Sequence, residues 1–385
     1  MFKNYFMISK RAKDISPFIV MDVLDAAKEM EKKGENVIHL EVGEPDFDTP
    51  NVIKEAADDA LRRGLTHYTH SMGIIELREA IAEHYSEKYG VNVSPEQIII
   101  TSGTSPAMVL VFGALLDAGD EVMLSNPYYS CYPNFIRFVE GVPVFVDIFE
   151  EDGFQYRAKE FKKKVSKKTK GVMINSPSNP TGALLSKEVM EEISEFSPYV
   201  ISDEIYHGLV YEGKEHSILE ITDKAFVLNG FSKLYAMTGW RLGYVIAPKE
   251  FVRPMQKLQQ NLFISASAFV QWAGVSALKH AAEDIKQMVL TFNQRRIYII
   301  ERLRELGFGI KVPPTGAFYV LANAKNFSKN SYEFAFKILK EAKVAVTPGI
   351  DFGSNAEGYI RFSYSNSIEN IREGMRRIEE FLNKK

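Results

Sequence analysis

The middle of the chain alternates short apolar runs with amphipathic stretches, and this alternation limits the available folds more than any other feature. Seven runs read as buried strands: Gln97–Thr101, Glu121–Ser125, Val142–Ile148, Lys170–Asn175, Tyr199–Asp203, Ala225–Asn229 and Tyr244–Ala247. Helical patterns such as Ser105–Asp117, Tyr132–Glu140 and Lys187–Phe196 fall between them. Strands alternating with helices predict βαβ units, hence a mainly parallel seven-stranded sheet sandwiched by helices. In such sheets, ligands bind at the carboxyl ends of the strands.

The two ends of the chain read differently. Ile19–Lys33 is one amphipathic helix closed by Gly34. A long helical pattern spans Ile285–Leu306, followed by strands Gly316–Leu321 and Tyr359–Tyr364 and by helices Ser331–Lys343 and Ser367–Asn383. Together they make a small α+β domain. The expected division is a large domain at 49–286 and a small one built from both termini, 1–48 and 287–385.

Charge and cysteine content narrow the classes of function. Lys+Arg is 47 against Asp+Glu 50, a net charge of -3, so no basic surplus points to nucleic acid. The densest basic run, Lys162 to Lys170, reads as a solvated helix face and turn. Cys131 is the single cysteine, which excludes an internal disulfide framework and fits a reducing compartment. The first eight residues, Met1 to Ile8, are charged too early for a signal peptide. The longest apolar run, Val109–Leu116, is far short of the roughly 18 residues that span a bilayer. A soluble, cytoplasmic protein that does not engage membranes is expected.

Three common uses of a parallel sheet lack their motifs. There is no Gly-x-Gly-x-x-Gly turn for a dinucleotide and no Gly-Lys-Ser/Thr for nucleotide hydrolysis. The nearest approach to a hydrolase elbow, Gly103-Thr104-Ser105-Pro106-Ala107, lacks its second glycine, and no histidine follows His280. The Gly103-Thr104-Ser105 turn instead opens a helix after a strand. There, amides and hydroxyls can cradle a phosphate, although Ser and Thr are also ordinary helix caps. Five residues separate Ser232-Lys233 from Gly239-Trp240-Arg241-Leu242-Gly243. That pattern puts a lysine at the sheet's carboxyl edge and an arginine between glycines that permit close backbone approach. Asn175 to Gly182 is a constrained loop after a strand, and Asp203-Glu204-Ile205-Tyr206 ends another. A carboxylate there is costly to bury without a cationic partner.

These residues together resemble the fold-type-I pyridoxal-phosphate-dependent aminotransferases of class I/II, in their prokaryotic aspartate aminotransferase-like branch. The likeness runs from Gly43-Glu44-Pro45-Asp46-Phe47 to Arg361. It includes Asn175-Ser176-Pro177-Ser178-Asn179-Pro180-Thr181-Gly182 and Ala236-Met237-Thr238-Gly239-Trp240-Arg241. The resemblance implies the pyridoxal-phosphate transferase fold and that cofactor. It makes Lys233 the Schiff-base lysine and proton carrier, and Asp203 the partner of the pyridine nitrogen. Tyr206 and Asn175 would donate to the ring's phenolic oxygen, and Tyr129 would stack on the ring. Gly103, Thr104, Ser105 and Arg241 would hold the phosphate, joined by Tyr68 from the other subunit of a homodimer. Arg361, with Asn175 and Gly43, would bind the substrate α-carboxylate.

The activity so implied is transfer of an amino group between an L-amino acid (aspartate, alanine or aromatic) and a 2-oxo acid, with 2-oxoglutarate/glutamate as one pair, by a ping-pong cycle. Two departures bear on the substrate. Gly230 replaces a serine that often touches the phosphate. Ser105 stands where aspartate-specific relatives often carry a lysine for the distal carboxylate. The aromatic residues Phe18, Tyr128, Tyr129 and Phe263 are candidates to line a pocket for apolar or aromatic side chains, with core packing as the other account. His67 and His70 read as interface histidines rather than metal ligands, so no metal is expected, and Cys131 reads as a small buried filler. The rival readings are a β-lyase or other lyase on the same fold, and a non-catalytic pyridoxal-binding regulator. Such a regulator would need a helix-turn-helix extension, and only about fifteen residues precede Ser16-Pro17.

Overall fold

A computed structural model describes residues 8–384; Met1 to Met7, part of the segment read as too charged for a signal peptide, lie outside the described residues. Seven strands form the central sheet. In spatial order they are Ile98–Thr101, Gly243–Ile246, Ala225–Gly230, Tyr199–Asp203, Thr169–Asn175, Glu121–Asn126 and Val142–Asp147. Only Gly243–Ile246 runs antiparallel to its neighbours. The other pairings within the sheet are parallel.

The central strands carry continuous apolar stretches because both faces are covered. Ile98, Ile100, Val172, Ile174, Val200 and Val227 pack into one core cluster. Their chain neighbours Ile99, Met173, Ile201, Phe226 and Leu228 pack into another, on the opposite face. This period of two within a continuous apolar run is what a doubly covered parallel sheet requires. The helix Thr104–Leu115 contributes Ala107, Met108, Val111 and Phe112 to the second face. Ile75–Tyr89 and Ala268–His280 contribute Leu77, Ile81, Val270 and Ala273 to the first. No helix among the described residues is long and apolar enough to cross a membrane.

Both termini build the rest. Thr347–Pro348, Tyr359–Ser363 and Tyr319–Asn323 form an antiparallel three-stranded sheet. Ile38–His39 pairs in parallel with Val344–Ala345, so the two ends of the chain meet. The strand expected at Gly316–Leu321 starts later, at Tyr319. Thr315 and Gly316 donate to the Gly182 carbonyl, and Ala317 has a φ of 56°, which extended backbone does not allow. The helix Ile19–Lys32 has no capping side chain of its own. The buried Asp351 carboxylate instead accepts from the amides of Ile19 (2.9 Å) and Val20 (3.4 Å). The 24-residue helix Ala282–Glu305 runs through residue 287, where a domain boundary was expected.

Candidate active site

One cleft gathers most of the residues singled out above. It has a volume of about 240 Å³, and its wall includes Gly43, Thr104, Ser105, Tyr129, Asn175, Asp203, Tyr206, Lys233, Arg241 and Arg361. Most of these follow the carboxyl ends of parallel strands, as the fold requires.

At one end, Gly103 turns the chain from strand Ile98–Thr101 into helix Thr104–Leu115. Its φ of 95° suits glycine, and a Cβ there would meet Arg241 Nη2 at 2.6 Å. The antiparallel strand Gly243–Ile246 brings Arg241 alongside by pairing Gly243 with Thr101. A Cβ on Gly243 would lie 2.8 Å from the Gly103 carbonyl carbon, so the two backbones touch. Helix-start amides, the hydroxyls of Thr104 and Ser105, and a guanidinium thus converge into a cradle with the chemistry of a phosphate site.

Toward the middle of the sheet, Asp203 is 3% exposed. Its Oδ2 accepts from Tyr132 Oη at 2.6 Å and its Oδ1 from the Ile205 amide at 3.2 Å. Burial pushes the carboxyl up to about 6, against the pull of these two donors. The Asn175 amide donates to the Asp203 carbonyl at 2.9 Å and accepts from the Asn179 amide at 2.8 Å, which ties the loop to the strand end. Tyr206 Oη lies 2.9 Å from Tyr319 Oη. On the far side of Asp203, the buried Glu204 carboxylate accepts from Ser202, Ser217 and the Ile218 amide at 3.0–3.1 Å, anchoring this strand end.

Lys233 Nζ donates to the Gly43 carbonyl at 2.6 Å. Burial lowers the amine to about 8; Glu44 opposes the shift, while Arg361 and Arg241 add to it. Gly43 must be glycine here, since a Cβ would lie 1.7 Å from Tyr319 Oη. Gly43→Ala is therefore expected to lower stability by about 1–3 kcal/mol through forced movement of Tyr319, read by thermal or urea denaturation.

Arg361 is 2% exposed in the strand Tyr359–Ser363. Nη1 donates to Asn179 Oδ1 at 2.9 Å, and Nη2 donates to the Glu41 carbonyl and to Thr347 Oγ1. The guanidinium lies over the rings of Tyr319 (4.4 Å) and Phe352 (4.8 Å), and Nε has no partner. Among the described residues no carboxylate pairs with it. A buried guanidinium at a cleft wall without a carboxylate is ready for an anionic ligand.

Some expected residues fall elsewhere. Tyr68 is 82% exposed and is not on the cleft wall of its own chain. Of the four aromatics considered for a substrate pocket, Phe18 and Tyr129 line the cleft, edge-to-face at 5.9 Å. Tyr128 and Phe263 do not: Tyr128 stacks on Phe145 at 4.9 Å, and Phe263 ends the helix Lys249–Leu262. Core packing explains both. Cys131 is half-buried and its thiol is pushed up by burial, which keeps it protonated. Among the described residues no group of three or more His, Cys, Asp or Glu is placed to hold a metal ion.

Sequence reading passed over Tyr132, Asn179, Tyr319 and Thr347, which hold Asp203, Tyr206 and Arg361 in place. Asn179 lies inside the constrained loop Asn175 to Gly182, and Tyr132 stands three residues after Tyr129. Tyr319 and Thr347 carry no local signal, because their partners are distant in the chain.

A parallel sheet whose strand ends carry a phosphate cradle, a buried carboxylate, a low-pKa lysine and a flanking aromatic defines a pyridoxal-phosphate enzyme. The donors present match that cofactor's groups: an anion cradle for its phosphate, Asp203 for a ring nitrogen, and Lys233 for its aldehyde. Residues 35–378 match the family of class I and II aminotransferases, and the chain belongs to it. It is 47% identical over 382 residues to the (5-formylfuran-3-yl)methyl phosphate transaminase of Methanocaldococcus jannaschii, covering 98% of this chain and 100% of that one. It is 40% identical to an aspartate aminotransferase of Pyrococcus horikoshii, over 99% and 98% of the two chains. Among solved structures, Thermus thermophilus aspartate aminotransferase with maleate superposes with a TM-score of 0.93 at 37% identity, over 97% and 99% of the chains. The protein is an aminotransferase that uses pyridoxal phosphate.

Proposed function

We propose that this aminotransferase moves the amino group of an L-amino acid to a 2-oxo acid in two half-reactions, with glutamate/2-oxoglutarate as one pair. The observation that carries this reading is Arg361, a buried guanidinium without a carboxylate on the same cleft wall as Lys233. Its planar fork suits an α-carboxylate, and both substrates of such a cycle bear one.

Pyridoxal phosphate, when bound, supplies an electron sink for the pair left as the substrate Cα–H bond breaks. The chain's own residues do the rest. Arg361 orients the carboxylate, helped by Asn179. Lys233 Nζ takes the Cα proton, which requires its neutral form. Asp203 holds a proton on the ring nitrogen, and Tyr206 donates to the ring oxygen beside Asn175. Tyr129 covers one ring face. Gly103, Thr104, Ser105 and Arg241 bind the phosphate. Tyr68, exposed on its own protomer, would complete that cradle from a second copy in a homodimer. The division into a 49–286 domain and a domain of 1–48 with 287–385 lets the Arg361 side close on substrate.

Borohydride reduction of the holoenzyme followed by peptide mass spectrometry tests the placement: the pyridoxyl group is expected on Lys233, and a different site sinks the reading. A donor panel with 2-oxoglutarate tests the activity. Release of pyruvate and ammonia instead of amino transfer would establish the lyase alternative. Cofactor binding without turnover of any donor would establish the regulator.

The side-chain end of the cleft is lined by Phe18, Val20, Met21 and Met108. With Ser105 in place of a lysine, the cations among the described residues that line the cleft are Lys233, Arg241 and Arg361, all assigned to other groups. Uncharged, flat side chains fit that rim, as does the furan ring of the substrate named for the Methanocaldococcus relative, so formylfuran phosphates belong in the acceptor panel. Ser105→Lys is expected to raise kcat/KM for aspartate by about tenfold, since a charge-assisted contact is worth roughly 1.5–3 kcal/mol. No gain would count against this account of the pocket.

A further inference from the structure

The segment that carries Glu41 and Gly43 holds both Arg361 and Lys233, yet it has little backbone support. Strand pairing ends at Leu40, whose amide donates to the Ala345 carbonyl and whose carbonyl accepts from the Ser363 amide. From Glu41 onward the chain leaves the ladder. The Glu41 carbonyl nonetheless accepts from Arg361 Nη2 and Thr347 Oγ1, and the Gly43 carbonyl accepts from Lys233.

Asn366 Nδ2 on the His39 carbonyl (2.9 Å) and Ser365 Oγ on the Val42 carbonyl (3.4 Å) flank this segment, and the Glu41 side chain anchors it between them. That side chain is fully buried, with Oε1 2.7 Å from His39 Nδ1 and Oε2 without a partner. The other ring nitrogen, His39 Nε2, lies 3.1 Å from Glu31 Oε1 on the helix Ile19–Lys32. A neutral imidazole carries one N–H, so two carboxylate partners call for the doubly protonated ring. A buried carboxylate with a single hydrogen-bonded partner likewise calls for a cation beside it.

We propose that the Glu31–His39–Glu41 chain is a tether that positions the Glu41 carbonyl, and through it the Arg361 fork, for the substrate carboxylate. His39 and Glu41 are thus positioning residues. The inference rests on the assignment of Arg361 to the α-carboxylate. His39 is raised above the ordinary imidazole range, first by the Glu41 hydrogen bond and further by Glu31. The charged groups of neighbouring elements are already engaged: Lys28 with Glu31, Lys343 with Glu35, and Arg377 with Glu373 and the Asn36 carbonyl. A raised imidazole pKa keeps the tether intact at low pH and loosens it as the pH rises through that value.

The test compares wild-type, Glu41→Gln, His39→Gln and Arg361→Lys holoenzymes with the amino donor that wild type prefers. Glu41→Gln and His39→Gln are each expected to raise KM about tenfold while kcat stays within about twofold, because a displaced fork weakens carboxylate binding. Imidazole NMR of wild type, with His39 assigned through His39→Gln, should show it titrating above the ordinary range and lower in Glu41→Gln. Unchanged KM in the two variants overturns the proposal. So does a rise in Glu41→Gln alone, or an ordinary His39 titration in wild type. If one variant does not fold, the other and the wild-type titration decide. Arg361→Lys separates the underlying reading: a flat KM there sinks the carboxylate assignment, whereas a large rise with normal tether variants sinks only the tether.

Discussion

Replacing Lys233 by alanine should lower turnover of every amino donor by at least about 10⁴-fold, the scale expected when a proton carrier that also holds the cofactor is lost. Among the described residues no other lysine lines the cleft. Burial brings Lys233 down to about 8, so about a tenth of it is neutral at pH 7. Lys233→Arg separates charge from proton transfer. It keeps a cation beside the Gly43 carbonyl, but a guanidinium does not give up its proton in proteins. The two variants are expected to be equally inactive in a single-turnover assay with the preferred donor. An arginine variant retaining a tenth of wild-type rate would show that Lys233 acts through its charge, and the proton-transfer role would fall.

Much of this site was legible in the sequence because its parts sit at strand ends and in short motifs. Asp203 ends one apolar run, Lys233 follows another and Arg241 precedes a third, and the structure brings the three to one cleft at the sheet's edge. Gly103 and Arg241 are joined in the sequence only by the resemblance, which gives both to the phosphate; in the structure the backbones of Gly103 and Gly243 touch, which sets the Arg241 guanidinium beside Gly103. The supporting layer was not legible. Tyr319 touches Tyr206 across 113 positions, and Glu41 meets Arg361 across 320. The first pair depends on how the small sheet packs against the large one and the second on how the two ends of the chain meet within the small domain, and no local pattern encodes either. The side-chain rim failed for a related reason. Tyr128 and Tyr129 are adjacent, but only one of two neighbouring side chains faces the cleft, and composition does not say which.

Asp203→Asn should stabilise the apoprotein while nearly abolishing activity, because the native carboxylate is held where folding disfavours it. Burial raises it from 3.8 to about 6, against the Tyr132 and Ile205 hydrogen bonds and a weaker pull from Lys233. A group whose folded pKa exceeds its unfolded one weakens the fold wherever it must be ionised. The penalty is absent below about pH 4, grows toward pH 6 and is complete above it. Two units correspond to about 3 kcal/mol, so an uncharged isostere should recover about 1–3 kcal/mol at pH 7. It should recover almost nothing near pH 4, where wild type is itself protonated. Asparagine can keep one hydrogen bond, from Tyr132 or from the Ile205 amide, but its amide nitrogen cannot accept the other, which holds the gain below its ceiling. It also cannot hold a proton on a ring nitrogen by charge, and kcat/KM is expected to fall about 10³-fold, on the scale of a lost buried electrostatic contact. Denaturation of the two apoproteins at pH 7 and at pH 4 reads the first effect, and steady-state kinetics read the second. A variant less stable than wild type at pH 7 would mean that the Tyr132 and Ile205 bonds outweigh the burial of charge. Asp203 would then be a structural anchor of its strand rather than a destabilised group kept for catalysis.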